Sequence, residues 1–463
     1  MTSSPSSSPP RRRRVAIALL APALGAIAFF LVLAVTDQFG PGLDPDAMAY
    51  MGAAVSLAHA GRYDVPTANW ASADSVSPLT HFPPGFPTVI ALPVRLGMAP
   101  AQGARLVVAL AAFVTVTVAV WIVGTVASAW AGVLAAVMLV ATPALVDAHL
   151  SVLSEPLFLA CVTVALALMA GLAPSADDDA PADAAPTTAG RALALGLVAA
   201  AAALVRYAGI SVPAAAALWL FVERRASWRV RLRNASLAAL PAVLLVGAWG
   251  ARNAWLARGG SGGPRPPIPY LAGFADDLQL GAKTACDWLA PLVEPPPVQQ
   301  LVAVVALALI ALVVAAAVRR AASRDDGEAD ARASRRRVAA ARVLAAAGLL
   351  LAAYVGEVVA SRLFVYGTIP FDERIFAPVI LLVELAAATA LGAWWRVRAG
   401  RRGARRASSL AVRAAAAVAV LAWLAGSVAL TTRNVTYVVQ NGSDFAGTQW
   451  RQSPLLDFVR KRA

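Results

Sequence analysis

Apolar residues run along this chain in blocks of about twenty, separated by short stretches rich in arginine. A helix rising ~1.5 Å per residue needs about twenty residues to cross a hydrocarbon core of roughly 30 Å, so each block predicts a membrane span. The spans expected on this basis cover residues 15–35, 104–126, 131–149, 155–172, 190–206, 208–222, 235–251, 300–318, 341–361, 375–395 and 409–430, about eleven in all. Between the first two lies a polar loop, residues 36–102, with a helical stretch over Pro45–Ala60 and the segment His81-Phe82-Pro83-Pro84-Gly85-Phe86-Pro87. The apolar piece Thr88–Met98 is too short to cross and is expected in or on the outer leaflet. A Gly/Pro-rich external loop covers 252–299, an Asp/Ala/Pro-rich internal linker covers 173–188, and a tail of residues 431–463 follows the last span.

The expected fold is therefore an all-α polytopic membrane bundle: a disordered basic lead (1–14), a transmembrane domain (15–430) and a short external tail (431–463). Arginine clusters at Arg11–Arg14, Arg224–Arg233, Arg335–Arg337 and Arg396–Arg406 all fall on one side in this register. That is the positive-inside pattern, which puts the N-terminus in the cytoplasm and the long first loop and the tail outside. Arg11–Arg14 before an apolar run imitates a signal peptide, but Val15–Val35 is long enough to span as an uncleaved anchor.

Composition agrees with the pattern. Hydrophobic residues make up 59% of the chain and charged ones 14%, against about a quarter in soluble domains. The net charge of +14 resembles a nucleic-acid signature, but it sits in inner blocks without interleaved aromatics, so no nucleic-acid partner is expected. Abundant Arg and Ala beside scarce Lys point to a GC-rich bacterial genome and hence to a bacterial plasma membrane. Cys161 falls in a span and Cys286 in an external loop, which argues against a disulfide between them.

The candidate chemistry gathers on the outer side. The first loop carries Asp37, Asp44, Asp46, Asp64 and Asp74. Asp44-Pro45 is a good N-cap and N1 pair, Asp46 sits in the first helical turn, and Gly61 is a natural terminator, so helix capping accounts for both acids without catalysis. Glu155 in Ser154-Glu155-Pro156 opens an apolar span, either as a helix-start carboxylate or as a functional acid at membrane depth. Arg206 and Arg374 stand at the outer edge, against the positive-inside bias, and suit an anion. The alternative for Arg374 is an ion pair with Asp372 or Glu373, and Glu357 within its span has Arg362 as a ready partner. His59, His81 and His149 are all expected outside but match no ligand spacing, so no metal site is assigned and a divalent cation stays open.

These segments resemble the GT-C membrane glycosyltransferases that use polyprenyl-phosphate sugars, in particular the protein O-mannosyltransferase and aminoarabinose transferase-like branch. The resemblance rests on Pro45-Asp46-x-x-x-Tyr50 with Leu57 and Gly61, on Phe82–Pro87, on Ser154-Glu155-Pro156-Leu157-Phe158, on Arg206-Tyr207, and on Asp372-Glu373-Arg374 followed by Pro378. It implies a catalytic carboxylate at Asp46 aided by Glu155, donor-phosphate binding by Arg206 and Arg374, and positioning by Asp44, Tyr50, His81, Tyr207, Asp372 and Glu373. The implied partners are a polyprenyl-phosphate-linked sugar (mannose- or arabinose-like), membrane lipids, and an acceptor glycan, lipid or protein. The acidic pair often found in that family's first loop is here Asp46-Ala47, a single carboxylate. The competing readings are a transporter or lipid flippase, which the buried Glu357 would serve, and a catalytically degenerate membrane scaffold. Against transport, the two halves show no internal repeat and no paired broken helices.

Overall fold

The structure is a computed structural model that describes residues 9–66, 75–171, 188–222, 226–256, 271–322, 331–365, 369–399, 406–454 and 456. The linker at 173–187, Asp74 and part of the Arg224–Arg233 block lie outside the described residues. The described chain is helical apart from turns, loops and one hairpin, β1 (Asp64–Pro66) paired antiparallel with β2 (Val76–Pro78) in the first loop. Alanine and leucine are the strongest helix formers, and in lipid only a helix or a closed barrel satisfies every backbone polar group.

In order, the helices are α1 (Pro9–Val35), α2 (Pro45–Ala60), α3 (Gly85–Arg95), α4 (Pro100–Val126), α5 (Ala129–Ala141), α6 (Pro143–Leu150), α7 (Glu155–Gly171) and α8 (Ala189–Val205). A 3-10 turn (Tyr207–Ile210) leads into α9 (Ser211–Phe221). There follow α10 (Trp228–Leu256), α11 (Phe274–Leu289), α12 (Pro296–Ala322), α13 (Ala331–Phe364), α14 (Glu373–Ala399), α15 (Arg406–Asn441) and α16 (Thr448–Arg451). The chain is a multi-pass membrane protein. By length and composition seven described helices can cross a bilayer, and the bent pair α5–α6 makes an eighth. The expected count of eleven is not reached by this criterion, because three of the expected spans are too short: α7 and α8, at 17 residues each, reach only about 26 Å, and the 3-10 turn with α9 is shorter still.

Other expectations are corrected in detail. The helix begins at Pro9, inside the lead expected to be disordered, since proline at a first position loses no needed amide and arginine propagates a helix well. The third span is not straight. It bends by 64° where Thr142 precedes Pro143, a proline that disfavours helical backbone in the residue before it. The last helix runs past 430 to Asn441 and stops only at Gly442, whose φ of +72° is the left-handed conformation that glycine tolerates. Nor does the second loop stay outside. At the end of α11, Trp288 donates its indole N–H to Glu384 at 3.1 Å, and its carbonyl accepts from Trp423 at 2.9 Å. Glu384 lies eleven residues into α14, about 16 Å along that helix, so this loop descends between α14 and α15.

The first loop packs as a cap over α4. Phe86 and Ile90 of α3 are fully buried, and Tyr50 of α2 meets Phe82 and Phe86 with ring centroids 4.8 and 5.1 Å apart. The piece expected at the outer leaflet is thus half a core element, with Leu92 and Leu96 on its exposed side. Helices approach closely at small residues, as membrane bundles do. At Gly196 of α8 an added Cβ would lie 2.3 Å from the Leu237 carbonyl oxygen of α10. Gly196→Leu is expected to push these helices apart and lower the thermal midpoint in detergent, in line with an overpacking cost of at least about 1–3 kcal/mol; an unchanged midpoint would contradict the close approach.

Candidate active site

The loop between α1 and α2 is stitched to the connection between α6 and α7 before any charged group is considered. The Gly42 N–H donates to Leu150 O and the Val152 N–H to Gly42 O, both at 2.8 Å, a parallel bridge of Gly42 with Ser151. This lays Asp44 beside Glu155. Asp44 caps α2 as its sequence implies, Oδ1 accepting the Ala47 N–H at 2.8 Å with Pro45 at the first helical position. Burial is the main reason that its carboxyl sits above the ordinary carboxylate range, opposed chiefly by that amide bond.

Arg374, in the first turn of α14, joins the parts. Its Nε donates to Glu155 at 2.8 Å, Nη2 to Asp46 at 2.8 Å and Nη1 to Asp44 at 3.2 Å. Glu155, whose side chain is 1% exposed, also takes Arg206 Nη1 at 2.6 Å, and Arg206 donates in addition to Ser154 Oγ at 3.2 Å. Three carboxylates therefore share two guanidinium groups, with one negative charge in excess when all are ionised. A guanidinium carries five N–H donors, and these three bonds leave two on Arg374 uncommitted.

The three acids differ in what is left to them. Glu155 is buried between the arginines, and Asp44 is occupied by its cap and Arg374. Asp46 keeps 30% of its side chain exposed and is held through one oxygen only, Oδ2. Tyr50, one turn along α2, is buried and donates weakly to Ser154 Oγ at 3.4 Å, backing the cluster from below.

The remaining sequence candidates lie apart or serve elsewhere. Tyr207 accepts a hydrogen bond from Trp249 Nε1 at 3.2 Å, and His81 is exposed with its ring edge-on to Phe82. Asp372 accepts the Ile375 N–H at 3.1 Å and so caps α14. The alternative pairing of Arg374 with Asp372 or Glu373 gives way to the triple contact, since neighbouring positions at a helix start diverge by ~100°. Arg362 pairs with Asp277 rather than Glu357, which accepts from Ser361 Oγ at 2.6 Å. Among the described residues no group of three or more His, Cys, Asp or Glu is placed to hold a metal ion.

A further feature beside Arg374 is signalled by no motif in the sequence. A cavity of about 480 Å³ opens there between α6, the start of α14 and α15, lined by Asp147, Glu373, Arg374, Arg433, Asn434 and Tyr437 among others. Asn434 Nδ2 donates to Asp147 at 3.0 Å across its wall. Arg206 does not line it. Its α15 residues fall within the expected tail, whereas Asp147, an ionisable residue in an expected span, is a signal the sequence itself carries.

No family model matches the chain, and no curated protein does. Among solved structures it is similar to ArnT from Cupriavidus metallidurans in the apo state, at 15% identity over 80% of this chain and 76% of that one, TM-score 0.39. It is also similar to the archaeal oligosaccharyltransferase AglB from Archaeoglobus fulgidus in complex with an inhibitory peptide and a dolichol-phosphate, at 11% identity over 96% of this chain and 58% of that one, TM-score 0.49. The chain thus spans little more than half the length of that oligosaccharyltransferase.

The cluster itself generates a stability prediction. Glu155→Gln leaves Arg206 with its charge uncompensated in a largely buried position, and breaking such a pair costs about 3–5 kcal/mol. The thermal midpoint of the variant is expected to fall well below that of the parent and to recover in part when Arg206→Met is added. Equal midpoints for parent and single variant would show that the pair contributes nothing.

Proposed function

We propose that the chain is a membrane glycosyltransferase of the GT-C kind, moving a mannose- or arabinose-like sugar from a polyprenyl-phosphate donor to an acceptor at the extracytoplasmic face of a bacterial plasma membrane. The observation that carries the reading is that one guanidinium, Arg374, both bonds a partly exposed carboxylate, Asp46, and lines a polar cavity. The resemblance of the first-loop and Ser154-Glu155-Pro156 segments to that family supports the same assignment.

On this reading Asp46 accepts the proton of an acceptor hydroxyl through its free oxygen, Oδ1. The hydroxyl oxygen then forms its bond to the anomeric carbon as the bond from that carbon to the phosphate oxygen breaks, and the electron pair leaves on the phosphate. The two uncommitted N–H groups of Arg374 meet the charge that develops there. A single displacement of this kind inverts the anomeric carbon. Glu155, Arg206 and Asp44 position Arg374 and the α2 start, and Tyr50 supports them. No step calls for a nucleotide.

Asp46→Asn is expected to reduce transfer from polyprenyl-phosphate sugars by about 10²–10⁴-fold while leaving the fold intact and donor binding no weaker. Asp44→Asn, which keeps a capping oxygen, is expected to lose far less. The check is transfer of radiolabelled sugar by purified parent and variants over a panel of donors and acceptors. Undiminished transfer by Asp46→Asn moves the base elsewhere, and no transfer by the parent across the panel removes the transferase reading.

A further inference from the structure

A second hollow adjoins the polar cavity. It measures about 280 Å³ and is lined by α1 (Ala28, Leu31, Val32, Val35), α4, α5, α6, one leucine each from α7 and α14, and the α15 positions Thr431, Thr432, Val435 and Thr436. Apart from a few threonines and His149 the lining is apolar. Its rim is exposed at Leu31, Thr432 and Thr436. The two hollows are divided by α6 and α15. On α6, Ala144, Asp147 and Ala148 face the cavity while Leu145, Val146 and His149 face the groove. On α15, Arg433, Asn434, Tyr437 and Val438 face the cavity. Leu150 lines both, so the groove and the cavity meet there.

Arg433 is exposed, lines the polar cavity, and makes no ion pair among the described residues. It is the second guanidinium in that wall beside Arg374, whose charge is already shared by three carboxylates. A bare anion is poorly served by this cavity, because Asp147, Glu373 and Asp444 also line it. A sugar phosphate is well served: the guanidinium groups meet the phosphate oxygens, and the carboxylates, Asn434 and Ser443 meet hydroxyls. The volume is within the roughly 300–1,000 Å³ typical of ligand sites. An apolar groove leading from such a cavity suits a ligand with an apolar chain on its phosphate.

We infer that a polyprenyl-phosphate carrier binds along α15, its glycosyl phosphate in the cavity against Arg433 and Arg374 and its isoprenoid chain in the groove between α1, α6 and α15. This rests on the transferase reading, and it names Arg433 as a phosphate-binding residue and α15 as the carrier's path.

The test uses the full chain in lipid nanodiscs and a polyprenyl-phosphate mannose carrying a diazirine in its isoprenoid chain. Photo-crosslinks are expected on residues 28–35 and 431–436, and Val435→Trp, which fills the groove, is expected to abolish them. Arg433→Gln is expected to weaken probe binding at least about tenfold, with Arg433→Lys recovering part, while Asp46→Asn, which removes the excess negative charge of the cluster, is expected not to weaken it. Crosslinks elsewhere, binding indifferent to Arg433, or equal displacement by phosphatidylglycerol as for an ordinary bilayer lipid would each overturn the inference. Transfer activity with misplaced crosslinks would sink this path and leave the transferase standing, whereas crosslinks as expected without transfer from any donor would do the reverse.

Discussion

One guanidinium holds the outer end of the molecule together. Arg374 reaches two carboxylates from the start of α2 and one from the start of α7, groups that would repel one another without it. Taking charges out of water is costly, and the attraction offsets that cost only when geometry is good and the remaining donors find partners. Here both conditions are approached through local structure. The Gly42–Ser151 bridge brings the two chain segments side by side, and Asp44 and Asp372 fix the helix starts that present Asp46 and Arg374. Arg206 then balances the share of Glu155 that Arg374 leaves unmet. The position of Asp46 is thus set by the cluster as a whole.

The bilayer supplies the second constraint, and it explains the irregular elements. Backbone that is not helical at membrane depth is tolerated only where protein covers it. The break at Thr142 obeys this rule: its hydroxyl donates to Glu384 at 2.6 Å, the carboxylate that Trp288 also reaches from the descending loop. The bend of α5–α6 and the descent of the second loop therefore meet at a single acid. The bend turns α6 across the bundle, and that placement makes α6 a wall of both hollows.

Much of this was legible in order of increasing range. The apolar blocks locate the helices because their cause is local length. The cap at Asp44, the terminator at Gly61 and the opening of α7 by Glu155 are equally local. The sequence also placed Asp46, Glu155, Arg206 and Arg374 on one side of the membrane. It did not say who binds whom. Arg374 neighbours two acids in sequence and binds three others, 219 to 330 residues away, since helix geometry turns adjacent side chains apart. The extension of α15 was lost for a different reason. Thr431–Asn441 is polar enough to look like a tail, and its packing on α5 and α6, through Thr431 with Ala141 and Asn434 with Asp147, marks it as part of the bundle.

That extension changes the chemistry that can be assigned. With Thr431–Asn441 in a tail, Arg206 and Arg374 are the outer arginines that the sequence singles out for a donor, and both would have to serve its phosphate. In the folded chain Arg206 is bound to Glu155 and Ser154 and absent from the cavity wall, while Arg374 retains two donors after three ion pairs. Binding a phosphate with those two donors alone would set an anion beside a cluster that is already one negative charge in excess. A further cation is needed on the cavity side to offset that repulsion, and the helix that brings one there also bounds the apolar groove. The charge balance of the acid cluster and the route of a lipid chain are in this way decided by the same eleven residues at the end of α15.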